Sequence, residues 1–150
     1  MTIKASYHVN KEAWGLGAWQ GEPDKMQWID ENTKLDCLIV RGPSGALCGY
    51  VGIPPVHPFY EQVDFEQLRV HGGVTFTGKC TTDEHGICHK HPFASKDVWW
   101  IGFDCAHAVD ITPAHLGNYY YHMFEADTYK TIDYVKNQVE DLAKRLHEIK

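Results

Sequence analysis

Six apolar residues close to the end of the chain, Ile132, Val135, Val139, Leu142, Leu146 and Ile149, recur at spacings of 3, 4, 3, 4 and 3. That period predicts one amphipathic helix. An isolated helix of this length is marginal in water, so the stripe demands an apolar surface to lie on. Thr128 or Thr131 is placed to cap its start, and Lys136, Glu140, Lys144 and Glu148 read as its solvated face.

The surface is supplied by β-type runs. Residues 35–41 (LDCLIVR) and 46–53 (ALCGYVGI) flank Gly42-Pro43-Ser44-Gly45, which predicts a hairpin. Alternation puts Leu35, Cys37, Ile39 and Arg41 on one face of the first strand, and Cys48 and Tyr50 on a common face of the second. Residues 69–78 (RVHGGVTFTG) predict a third strand, with a bulge or a close approach at Gly72-Gly73. Residues 97–107 predict a fourth. Residues 13–30 lack a sustained period and read as coil tied down by its aromatics, and 119–124 as a short covering segment. The expected fold is therefore α+β: a single domain over residues 1–150, mainly an antiparallel sheet of about four to five strands packed by a long C-terminal helix.

The 150 residues suffice for one substantial core. With 14 Lys+Arg against 20 Asp+Glu, the net charge of −6 opposes binding to long nucleic acids. There is no signal-like start and no run of about 18 apolar residues, so no membrane partner and a cytoplasmic location are expected. Five widely spaced cysteines suit reduced thiols. Five Trp and eight Tyr serve a core or an interface equally well, which leaves an oligomer open.

Function is expected at the end of the fourth strand. The run WWIGFDCAHAVD (99–110) carries Asp104, Cys105, His107 and Asp110 to the edge of a core. His71, beside the Gly-Gly opening, is the histidine best placed to join them. Lys25, Trp28, Arg41, Tyr50, Thr75 and His57, the last set among Pro54, Pro55 and Pro58, are the expected ligand-binding residues. A separate cluster, Cys80, His85, Cys88 and His89, with His91 nearby, has the density of a structural zinc site without a standard finger spacing.

Several blocks taken together resemble a family of small uncharacterised bacterial and phage proteins. They are EPDK with Trp28 (22–28), CGYVGIPPVHP (48–58), HGGVTF (71–76) and WWIGFDCAH with Asp110. Members of that family show GYVGVPPxHP, HGGLTF and GFDCAHxGD blocks, and the likeness spans roughly residues 13–148. This chain has Val109 where the family pattern has Gly. The phage connection implies handling of a host small molecule, such as a nucleotide signal.

Three mechanisms use these residues. In one, His71, Asp104, His107 and Asp110 hold zinc or manganese, which acidifies a water or polarises an oxygen. In another, Cys105 is a nucleophile activated by a histidine. In the third, no metal is bound and an imidazole–carboxylate pair acts as general acid and base. The expected function is a small hydrolase acting on a phosphorylated or nucleotide-like molecule. The alternatives are a protein that binds and sequesters a nucleotide signal without turnover, and a structural or protein-interaction domain.

Overall fold

The computed structural model describes residues 3–63, 65, 68–79, 98–107, 110–115 and 128–149. Six strands form one antiparallel sheet: β1 (Lys4–Ser6), β2 (Lys25–Ile29), β3 (Asp36–Arg41), β4 (Leu47–Ile53), β5 (Phe76–Lys79) and β6 (Trp99–Asp104), in the order β1-β2-β3-β4-β6-β5. A single helix, α1 (Ile132–His147), packs across β3 and β4. The α+β architecture is as expected, with more strands than the four or five anticipated.

Of the two extra strands, β1 lies before the stretch read as coil and β2 lies within it. Met26 and Trp28 alternate with Lys25 and Gln27, and β2 pairs with β3 in the register Lys25↔Val40 to Ile29↔Asp36. Met26 and Trp28 face α1, and Trp28 is fully buried beneath the Lys136 ammonium, 5.6 Å from its ring. The expected third strand is shorter than its apolar pattern: β5 begins only at Phe76, because Gly72 and Gly73, at φ 69° and 82°, turn the chain first. The bulk-free turn is the purpose of those glycines, since a side chain at such φ is strained.

The hairpin forms as predicted, with Cys37 and Ile39 of β3 and Leu47, Val51 and Ile53 of β4 on the helix-facing side. Ile101, Phe103 and Cys105 continue that face from β6, and Val135, Val139, Leu142 and Leu146 of α1 are fully buried against it. Thr131 caps the helix by accepting the Tyr134 N–H. Gly49 permits the close approach, because a Cβ there would lie 2.6 Å from Val139 and from the Phe103 ring. Leu38, Tyr50, Val98 and Trp100 form a second buried cluster on the opposite face. Among the described residues, no helix is long and apolar enough to cross a membrane.

β4 pairs with β6 and lies beneath α1, and β6 ends at a corner of the sheet. Everything chemical about the chain that the sequence singled out near residue 104 lies at that corner.

Candidate functional site

β6 ends at Asp104, and the chain enters a loop before His107 and Asp110. The loop is fixed by its own polar groups. Asp104 accepts the Ala106 N–H at 3.1 Å, Asp110 accepts the His107 N–H at 3.0 Å, and the Asp110 N–H donates to the His107 carbonyl at 2.9 Å. A parallel bridge between Asp110 and Thr128 then ties the loop to the segment entering α1.

His71 reaches this loop from the Gly72-Gly73 turn. Its Nε2 lies 2.8 and 3.0 Å from the two carboxylate oxygens of Asp110, and its Nδ1 lies 2.9 Å from the hydroxyl of Tyr134, in the first turn of α1. Its backbone N–H donates to Gln138 of the same helix at 3.0 Å. In the neutral ring, Nε2–H donates to the carboxylate and Nδ1 accepts the phenol proton. The result is a line of hydroxyl, imidazole and carboxylate, the arrangement by which a base is oriented toward a hydroxyl.

Asp110 is the fixed end of that line. Its side chain is fully buried, and Lys130 Nζ sits 3.0 Å from Oδ1. Burial alone would raise its pKa. Hydrogen bonds from His71, the His107 N–H and Lys130 outweigh that, and the carboxyl is held below its usual range. Burial pushes the Tyr134 phenol upward.

A second imidazole stands beside the first. The His71 and His107 rings are 5.8 Å apart, and His107 Nε2 is 3.3 Å from Asp104 Oδ1. That Nε2 is buried and makes no hydrogen bond. Gly72 makes room for that ring: a Cβ at Gly72 would fall 2.0 Å from His107 Nε2. Where a bulge or the close approach of another backbone or a ligand was expected, Gly72 instead seats the ring of the second histidine.

The other expected residues divide clearly. Cys105 is buried, and burial pushes its thiol well above the usual range, so the sulfur sits in the core as a neutral thiol. Arg41 has no donor left for a ligand. Its five N–H groups go to Asp24 (2.7 Å), the Gly45 carbonyl (2.8 Å), the Tyr129 hydroxyl (2.8 Å), the Pro23 carbonyl (2.9 Å) and Glu22 (3.3 Å). His57 caps α1: Nε2 donates to the Leu146 carbonyl at 2.7 Å while Nδ1 accepts the Phe59 N–H at 2.9 Å. Trp28 and Tyr50 are buried, Tyr50 edge-on to Phe76, and Thr75 is exposed with its N–H on the Gly102 carbonyl. Lys25 lies on β2, on the face away from α1, its ammonium pKa lowered by burial and by Lys4.

Of the four residues expected to hold a metal, His71 and Asp110 are hydrogen-bonded to each other. Both ring nitrogens of His71 are engaged, and an ammonium already neutralises Asp110. Among the described residues, no three His, Cys, Asp or Glu side chains are grouped to hold a metal ion. Cys80, His85, Cys88 and His89, like the covering segment 119–124, lie outside the described residues.

Tyr134 and Lys130 were not singled out by sequence reasoning. Tyr134 lies between Ile132 and Val135 of the helix stripe, and nothing local marks it as polar machinery. Only its distance of 63 residues from His71, closed by the fold, gives it a role. Comparison of the chain with protein-family models, curated proteins and solved structures finds no match.

Proposed function

We propose that this chain is a small-molecule hydrolase in which the His71–Asp110 pair is the acid/base machinery, acting on a small phosphorylated or nucleotide-like substrate. One observation carries the reading: a single imidazole joins a buried, ionised carboxylate to a hydroxyl, at 2.8 and 2.9 Å. Such a ring takes a proton on Nδ1 while the carboxylate stabilises the imidazolium and fixes its orientation. His107 and Asp104, each about one-third exposed, form the rim nearest solvent. The net charge of −6 disfavours long polyanions and supports a small substrate, and the likeness of the motif blocks to phage proteins supports a nucleotide-like one.

The metal-free form is the one this geometry supports. Zinc- or manganese-assisted hydrolysis would require His71 to release Asp110 or Tyr134. The test is product formation from a panel of nucleoside phosphates and cyclic dinucleotides, with the wild type, His71→Gln and Asp110→Asn, before and after treatment with chelator. Turnover that both substitutions reduce by about 100-fold or more, and that chelation leaves intact, is the expected result. Turnover lost on chelation overturns the metal-free form. Tight binding of a panel member without product overturns the hydrolase reading and favours a sequestering protein.

A further inference from the structure

We propose that Tyr134 is the nucleophile of this site, forming a covalent phosphotyrosyl intermediate, and that the bond it cleaves is a phosphoanhydride. This rests on the acid/base reading of His71 and Asp110, and deepens it by naming the attacking atom and the class of substrate.

The geometry assigns the hydroxyl a place that a nucleophile occupies in hydrolases of this logic. Tyr134 Oη is 2.9 Å from His71 Nδ1, the ring's other nitrogen is on Asp110, and the rings of His71 and Tyr134 meet edge-on at 5.5 Å. Asp110 is itself immobilised by Lys130 and the His107 N–H. Tyr134 is anchored through its own N–H, which Thr131 accepts, and it is only partly buried.

In the first step Oη attacks phosphorus and the phenol proton passes to His71 Nδ1. The O–P bond forms as the bridging P–O bond breaks, and the departing phosphate keeps the electron pair. In the second step water attacks the same phosphorus, the P–Oη bond breaks, and the phenolate recovers its proton from His71 Nδ1. The water supplies an oxygen to the transferred phosphoryl group, and its proton leaves with the product phosphate. The net change is one phosphoanhydride and one water to two phosphates and a proton.

The substrate class follows from where the imidazole stands. Displacement at phosphorus runs in line, so the leaving oxygen departs on the side away from Oη. His71 is on the nucleophile's side and cannot protonate that oxygen. The second imidazole has its Nε2 buried against Gly72. Among the described residues no side chain is assigned to protonating that oxygen, so a leaving group that departs without a proton is favoured. A phosphate anion is such a group and an alkoxide is not.

The experiment uses a fluorophosphonate probe on the intact chain, followed by peptide mapping, alongside hydrolysis of adenosine diphosphate and adenosine monophosphate. The probe needs only attack at phosphorus with loss of fluoride, so it reads nucleophilicity without turnover. The expected result is one adduct on Tyr134, formed at least about 10-fold faster than on Tyr7, which is 68% exposed. The adduct is absent in Tyr134→Phe and slowed about 100-fold in His71→Gln and Asp110→Asn, in line with loss of a general base. The diphosphate is hydrolysed at least about 100-fold faster than the monophosphate.

An adduct that forms equally in His71→Gln, or none on Tyr134, overturns the nucleophile. Equal or inverted rates for the two nucleotides, or hydrolysis of neither, overturn the substrate class. Turnover that survives Tyr134→Phe but not His71→Gln overturns this inference while leaving the acid/base reading intact. An adduct on Tyr134 without turnover of any panel member supports the nucleophile and overturns the hydrolase reading. Unfolding midpoints of all variants separate these outcomes from loss of fold.

Discussion

Two buried ion networks tether the segment before α1 to the sheet, and they differ in how completely they are closed. Around Arg41, five donors meet five acceptors. Lys11 Nζ adds contacts to Asp24 at 2.8 Å and to the Glu22 carbonyl at 2.6 Å, while the other Asp24 oxygen takes the His8 and Val9 N–H groups. The Tyr129 hydroxyl donates to Glu22, whose second oxygen takes the Ile132 N–H at 2.8 Å. Around His71 the pattern is open. Tyr134 is partly exposed, His107 and Asp104 sit at the rim, and one buried imidazole nitrogen has no hydrogen-bond partner. A saturated network holds structure and has nothing left to offer a ligand. An unsaturated one, held rigid by its neighbours, retains groups that can act.

The sharpest way to break the comparison is to remove one member of each. Arg41→Met takes the guanidinium from Asp24 and Glu22 in the interior, and unfolding in urea is expected to show a loss of about 3–5 kcal/mol. Activity per folded molecule should be unchanged. His71→Gln is expected to do the opposite: turnover falls by about 10²–10⁴-fold, while the unfolding free energy falls by about 1–2 kcal/mol for the lost hydrogen bonds. Should either variant show the other's phenotype, the division between the two networks is wrong.

Acid sharpens the same contrast. Burial raises the Asp24 pKa, but hydrogen bonds from Lys11, the Val9 N–H, Arg41 and the His8 N–H prevail and hold it at about 2, below the usual 3.8. A folded value below the unfolded one means stability that is fully present above pH about 4 and is lost as pH falls toward 2, about 2 kcal/mol in all. Asp110 is shifted in the same direction. In Arg41→Met the acid-linked loss should shrink, as measured by unfolding between pH 2 and 6. An unchanged slope would mean that Arg41 does not hold Asp24.

A smaller effect probes the seat of the second imidazole. Gly72→Ala places a Cβ against His107 at a positive φ, and a cost of about 1–2 kcal/mol is expected from the backbone alone. The ring of His107 must also move, which a shift in its imidazole NMR signals would reveal. Smaller again, His57→Ala removes the donor to the Leu146 carbonyl at the end of α1, with an expected loss of about 0.5–1.5 kcal/mol in thermal or urea unfolding.

Much of this was legible in particular residues. The stripe from Ile132 to Ile149 and the hairpin about Gly42–Gly45 depend on local periodicity and turn chemistry; the helix ends at His147, short of Ile149, and the hairpin strands formed close to their expected bounds. Asp104, His107 and Asp110 follow directly from where an apolar strand must end. The strand β2 was hidden because Gly and Pro dominate the stretch before it, although Met26 and Trp28 do alternate with Lys25 and Gln27. Arg41 was expected at a site, but a sequence does not show how many acceptors will converge on one guanidinium. Tyr134 and Lys130 were illegible for a related reason: each gains its role from a contact that only the folded chain brings about.

The most direct measurement of the central claim is ¹⁵N NMR of the histidine rings, in the wild type and in Asp110→Asn, at a pH where His71 is neutral. The account predicts that His71 is held as the Nε2–H tautomer, with its ring proton protected from exchange by the Asp110 carboxylate and with Nδ1 shifted as an acceptor from Tyr134. Asp110→Asn should release both signatures. A His71 ring that averages between tautomers in the wild type, with a freely exchanging proton, would show that no oriented base exists and would contradict the account at its root.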